Sequence, residues 1–258
     1  MIPSTSLNQI LISVDSTLGV LSREVVVNDI EVEVERNFGF IVPGRMPSLH
    51  RVTSRKVQLK TEQWTKLVGV IFCMPTSKPG KDEILPNLDY FHHRSGLFVD
   101  FFCVGYGLKT TSEESFVTTV KGKQWAFSSA DFNSCRAQLE AETKWRYSGE
   151  TELLLAVARK AKGSTAVLDF TAAIACNLEE MAKDGAFTSI RAFFEKIFQF
   201  GEQYKGSDPV QRLSDSFGLS GGRSLLLESV LTLLPESLKK QYKATRHYSI
   251  RSVMSAEA

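Results

Sequence analysis

The sequence predicts an α/β fold: a mixed sheet with flanking helices, a β-rich N-terminal segment ahead of it and a helical C-terminal region behind it. Two apolar runs, near 67–73 and 97–105, flank a stretch of helical length, and runs of that kind suit strands covered on both faces. The helix-then-strand order recurs across "SADFNSCRAQLEAETKWRYSGETELLLAVA". Past Phe187 the apolar residues fall at helical spacing. Strands alternating with helices of about ten to fifteen residues are the signature of this class.

The elements follow in order. Residues 5–20 mix apolar and polar positions at helical spacing. Ile30, Val32 and Val34 then alternate with Glu31, Glu33 and Glu35, the period of a half-exposed strand pair, with Asn28-Asp29 as its turn. A strand near 67–73, a helix near 82–94 capped by Asp82 and a strand near 97–105 make a unit that a crossover helix closes as a parallel pair, central in its sheet. A hairpin turns at Lys121-Gly122. The next helix is capped by Ser129 or Asp131 and stopped by Gly149. Thr165–Phe170 reads as a further strand with a helix after it. Ile190, Phe193, Phe194, Ile197 and Phe198 form a core-facing helical stripe, and "SLLLESVLTLLPESLKKQY" a later helix. Beyond about 245 no period is visible, and the end reads as a tail. The expected division is 1–66 (N-terminal helix and β-rich segment), 67–186 (α/β core) and 187–258 (helical region, one compact unit with the core).

Bulk properties bound the function. At 258 residues, with 43% hydrophobic and 23% charged residues, the chain can bury a sizeable core and lies outside the composition of disordered proteins. A net charge of +2 neither demands nor excludes nucleic acid, so such evidence must be local. Cys73, Cys103, Cys135 and Cys176 are widely spaced, with no C-x-x-C pair, and read as buried thiols. The first 25 residues lack a basic region and a continuous apolar core, so no signal peptide is read; no apolar run is long enough to span a membrane. The expected location is the cytoplasm.

The strongest local bias is between Arg36 and Lys60, where no acid occurs and Arg36, Arg45, Arg51, Arg55, Lys56 and Lys60 are all basic. This stretch suits a phosphate- or partner-facing surface; the competing account is that it neutralises the acidic strand before it. "GLSGGRSLLLES" places Arg223 and glycines at a helix start, where backbone amides can hold an anion, or where the glycines merely cap the helix.

Catalytic motifs are tested and mostly rejected. "CMPTSKPGKDE" is no phosphate loop, because Pro75 replaces the first glycine and Asp82 the final hydroxyl. Cys73 lacks a second cysteine three residues on and lies too far from its helix for the dipole to activate it. Asp89 and His93 share a helix face beside His92, but with only His50 and His247 elsewhere no metal frame emerges. Acids at strand ends are the best catalytic candidates: Asp169 first, with Glu150 and Glu152, since ligands of α/β sheets lie beyond the carboxyl ends of strands. No lysine follows them at the spacing of metal-dependent nucleases. Trp145, Arg146 and Tyr147 could serve an interface or stack a base, unless Trp145 is buried.

The expected function is a non-catalytic interaction subunit of an intracellular multi-protein assembly, touching a protein partner through residues 36–60 and the C-terminal helices. The alternatives are a metal-dependent enzyme acting on a nucleotide or nucleic-acid phosphate through Asp169, Glu150 and Glu152, and a nucleic-acid-binding protein using the basic segment. No cofactor is assigned.

Overall fold

A computed structural model describes residues 2–4, 6–31, 51–95, 98–108, 116–120, 122–203, 230–239 and 250–253. Their elements are β1 (Ile2–Ser4), α1 (Leu7–Thr17), β2 (Gly19–Glu31), β3 (Arg51–Gln63), β4 (Thr65–Phe72), α2 (Leu88–Arg94), β5 (Val99–Val104), β6 (Tyr106–Leu108), β7 (Phe116–Val120), β8 (Lys123–Phe127), α3 (Ser129–Glu142), β9 (Glu152–Arg159), β10 (Val167–Asn177), α4 (Leu178–Lys183), α5 (Ile190–Gln203) and β11 (Ile250–Ser252). Contacts divide the chain into residues 20–62 and all the rest.

In the larger unit nine strands form one mixed sheet, in the order β11-β10-β9-β4-β5-β1-β6-β8-β7. The class is therefore the expected α/β one. Strands β4 and β5 pair in parallel at its centre, β1 pairs in parallel with β5, and the other neighbours run antiparallel. Every residue of β5, and every one of β4 after Thr65, is buried.

Period-two alternation sends these side chains to two cores. Leu67, Ile71, Val99, Phe101, Cys103, Leu153, Leu155, Ile174 and Cys176 share one core with α2, α4 and α5. Val68, Val70, Phe72, Phe102, Val104, Leu154, Ala156 and Ala175 share the other with α1 and α3. Gly69 sits under the Phe101 ring, where a Cβ would lie 2.5 Å from two ring carbons. The space it leaves lets Phe101 stack on Phe194 of α5 at 4.8 Å.

The stripe of α5 is buried as its spacing predicts. Full burial of each such side chain stabilises by roughly 2 kcal/mol. Arg94 also clasps α5, reaching Glu195 at 2.9 Å and Glu202 at 2.8 Å, but a partly exposed ion pair contributes only about 0.2–1 kcal/mol. The apolar stripe therefore holds the helix and the arginine orients it.

Several expected boundaries move. The helical stretch after β4 opens with a π-helical turn, Gly80–Ile84, and Asp82 is exposed within it; Ser77 does the capping, accepting from Gly80 N at 3.1 Å. Ser128 caps α3 through Asp131 N, and α3 ends at Glu142, well before Gly149. Strand β2 runs straight through Asn28-Asp29, since that pair lacks the glycine a tight hairpin turn favours. Strand β10 does not stop at Phe170 but continues to Asn177, leaving α4 only six residues. Ile250–Ser252, expected within a tail, add an edge strand to β10. The helical character of the C-terminal region is seen in α5; Gly218–Glu228 and Tyr242–His247 lie outside the described residues.

The smaller unit contains β2 and β3, thirteen residues each, which pair as a two-stranded sheet. Arg51, Arg55, Lys56 and Lys60 fall in β3. Arg36 and Arg45 lie outside the described residues.

One pair of charges breaks the apolar pattern. Lys66 of β4 and Asp100 of β5 meet at 2.9 Å with neither side chain exposed. Lys66 also donates to Thr17 Oγ1 at 3.1 Å, and the Thr17 hydroxyl donates to Val14 O at 2.9 Å. With its proton so used, Thr17 gives little to Asp100 Oδ2 at 3.5 Å, and Oδ1 is buried without a hydrogen-bond partner among the described residues. Burial raises the Asp100 pKa despite the opposing pull of Lys66. A folded pKa above the unfolded value makes this contribution complete at low pH and lost as pH rises through the folded pKa. Lys66→Met should therefore destabilise by about 3–5 kcal/mol at pH 7 and lose less at pH 4, whereas Lys66→Met with Asp100→Leu should recover most of the loss. Urea unfolding at the two pH values measures this; a pH-independent deficit would contradict it.

Candidate functional site

Strand β4 ends at Phe72, and in the antiparallel register Phe72 faces Glu152, which in turn faces Asn177. The carboxyl end of β4, the start of β9 and the end of β10 thus meet at one edge of the sheet, where ligands of α/β proteins most often bind. The residues gathered there are Cys73, Ser77, Thr151, Glu152, Asn177 and Glu179.

Their polar groups are spent on one another. Ser77 Oγ donates to Met74 O at 2.9 Å and lies 3.2 Å from Thr151 Oγ1. A hydroxyl has one proton, so Thr151 donates to Ser77. Thr151 N donates to Glu179 Oε1 at 2.9 Å. Asn177 Oδ1 accepts from the amides of Glu179 and Glu180, capping α4, while its Nδ2 donates to Glu150 Oε2 at 2.6 Å. The fully buried Glu152 accepts from Trp145 Nε1 at 2.7 Å. Tyr106, also buried, donates its hydroxyl to Cys73 O at 3.0 Å.

Cys73 is sealed inside this edge. Burial pushes its thiol up to about 11, and the contacts from Ser77 and Thr151 offset only part of that. Gly80 closes over the sulfur: a Cβ there would lie 2.8 Å from Cys73 Sγ and would collide with Met74 O. A protonated, covered thiol is a poor nucleophile. All four cysteines are buried and free, as their apolar settings suggest.

The sequence-derived acids do not converge. Glu150 and Glu152 lie at this edge on separate hydrogen-bond partners. Asp169 faces Val157 of β9, roughly 17 Å along the strand from Glu152, and pairs with Arg159 at 3.2 Å. The expectation that Asp169 ends its strand fails because β10 continues to Asn177, which makes Asp169 one of its first residues. Asp89 and His93 form an exposed contact at 3.7 Å. Among the described residues no group of three His, Cys, Asp or Glu is arranged to hold a metal. Lys81 is exposed beside Asp82, and Arg223 lies outside the described residues.

The Trp145–Tyr147 segment is not a stacking platform. Trp145 is 2% exposed. Arg146 Nη1 donates to the carbonyls of Glu140, Thr143 and Trp145, so it caps the carboxyl end of α3. Ser77 and Thr151 escaped the sequence reading. Ser77 had a visible signal, a hydroxyl residue two positions before Pro79 at a helix start; Thr151 had none.

Comparison with protein-family models, curated proteins and solved structures finds no match. No helix among the described residues is long and apolar enough to cross a membrane.

The sealed edge makes two measurable statements. A thiol reagent at pH 7.5 should leave Cys73 unmodified in the folded chain and label it in urea. Gly80→Ala should cost about 1–3 kcal/mol and make Cys73 the fastest-labelled cysteine, read by mass spectrometry of peptides; rapid labelling in the unaltered chain would contradict the closure.

Proposed function

We propose that this chain is a non-catalytic binding component of a multi-protein assembly and that it engages an acidic protein partner through β2 and β3. The observation that carries this reading is that β2 and β3 pair as a sheet of two strands. Two paired strands of thirteen residues make a sheet by themselves, and a two-stranded sheet is marginally stable in water without a further layer. A partner surface would supply that layer. The unit also contains much of the chain's acid-free stretch, with Arg51, Arg55, Lys56 and Lys60 in β3, which favours an acidic partner.

The other half of the support is negative for catalysis. Glu150, Glu152 and Asp169 are held apart, and the carboxyl edge of the parallel strands is filled by its own hydrogen bonds. The C-terminal helix α5 is unsuited to a partner because its apolar face is occupied by the sheet.

Charge reversal tests the reading. The Arg51→Glu/Arg55→Glu variant, expressed in the native cells at native level, should retain its unfolding midpoint and lose at least tenfold of its co-purifying protein. Recovery of the same partner at the same yield would sink the proposal. Co-purifying nucleic acid, released steeply by salt, would replace it with direct nucleic-acid binding.

A further inference from the structure

The chain passes between its two units twice, at residues 19–20 and 62–63, and within the larger unit both passages are fastened side by side. On the first, α1 ends at Thr17 and β2 begins at Gly19; on the second, β3 ends at Gln63 and β4 begins at Thr65. A Cβ on Gly19 would lie 3.8 Å from the Trp64 ring, so the two strand roots are neighbours. Two lysines bridge them. Lys66 donates to Thr17 Oγ1 at 3.1 Å while Asp100 matches its charge. Lys160 donates its backbone N to Trp64 O at 2.9 Å, and its Nζ reaches Asp15 O and Asp15 Oδ1, each at 3.0 Å. Asp15 is fixed in turn by Ala166 N, which donates to Oδ1 at 2.7 Å.

We propose that Lys66 and Lys160 are positioning residues that hold the roots of β2 and β3 together and so keep this ribbon paired before a partner arrives. In its purpose the clamp rests on the partner reading above; in its mechanics it does not. A two-stranded sheet is marginally stable alone, and bringing two strand ends together costs chain entropy. Ends already fastened in the larger unit meet that cost there, so pairing can spread from the root. A surface ordered in advance also binds more tightly, because less is left to order on contact. The clamp accounts for a charge in the core. An apolar pair at 66 and 100 would cover the sheet at least as well, but it could not reach across to Thr17.

Thr17→Val removes the acceptor of one bridge and Lys160→Met the side chain of the other, and both leave the Lys66–Asp100 pair and the basic residues of β3 in place. Amide hydrogen exchange of the full chain at pH 7, read by mass spectrometry of peptides, is the measurement. In Thr17→Val/Lys160→Met, residues 20–31 and 51–62 should exchange about tenfold faster or more, the loss of two hydrogen bonds from charged donors, while β4, β5 and β9 keep their protection. Unchanged exchange of the ribbon overturns the clamp. Equal acceleration of β4, β5 and β9 overturns it too, because the lysines would then serve the sheet as a whole. If the double variant does not fold, Lys160→Met alone should show the same contrast at roughly threefold, and its absence overturns the clamp. The two readings fail separately: Arg51→Glu/Arg55→Glu should leave exchange of the ribbon unchanged and lose the co-purifying protein, whereas the clamp variant should lose both. Faster exchange with the protein partner fully retained overturns the role of the clamp in binding.

Discussion

Burial of β4 and β5 on both faces is the constraint from which the rest of the structure follows. Their side chains alternate between two cores, so each face needs its own cover of helices. Helices α1 and α3 supply one, and α2, α4 and α5 the other. The fit is close: Gly69 is needed beneath Phe101, and Gly105, with a φ of 80°, turns the chain out of β5 where a Cβ would meet Phe132 and Phe127. A charge pair in such a place is expensive unless matched. Lys66 and Asp100 match each other and, among the described residues, leave one carboxylate oxygen unmet.

The same constraint governs the chemistry at the carboxyl edge. Where many α/β proteins leave a crevice, this chain sets β9 antiparallel to β4 and β10 antiparallel to β9. Glu152 and Asn177 are thereby brought against the end of β4, and Ser77, Thr151 and Glu179 complete a closed hydrogen-bonded set. The thiol of Cys73 lies behind that set with its proton retained. Groups that could serve as nucleophile, base and acid are present, but their hydrogen bonds are spent on holding strand ends together.

What the sequence reveals depends on whether the signal is local. The two central strands, the β7–β8 hairpin and the α5 stripe are read correctly because apolar period or turn chemistry marks them within a few residues. The α4 region misleads because "TAAIACN" has apolar and small residues that suit either a strand or a helix; its pairing with β9 decides, and that is a long-range fact. This error carried the Asp169 reading with it, since the residue's place depends on where β10 ends. Edge strand β11 is three residues long and supported only by β10, too short for any period.

Native mass spectrometry of the protein isolated gently from its own cells tests the proposed binding role most directly, since bound proteins, metals and nucleotides are weighed together. A binding component should carry a protein partner in stoichiometric amount and neither metal nor nucleotide. A chain that carries a metal or a nucleotide and no protein partner would contradict it.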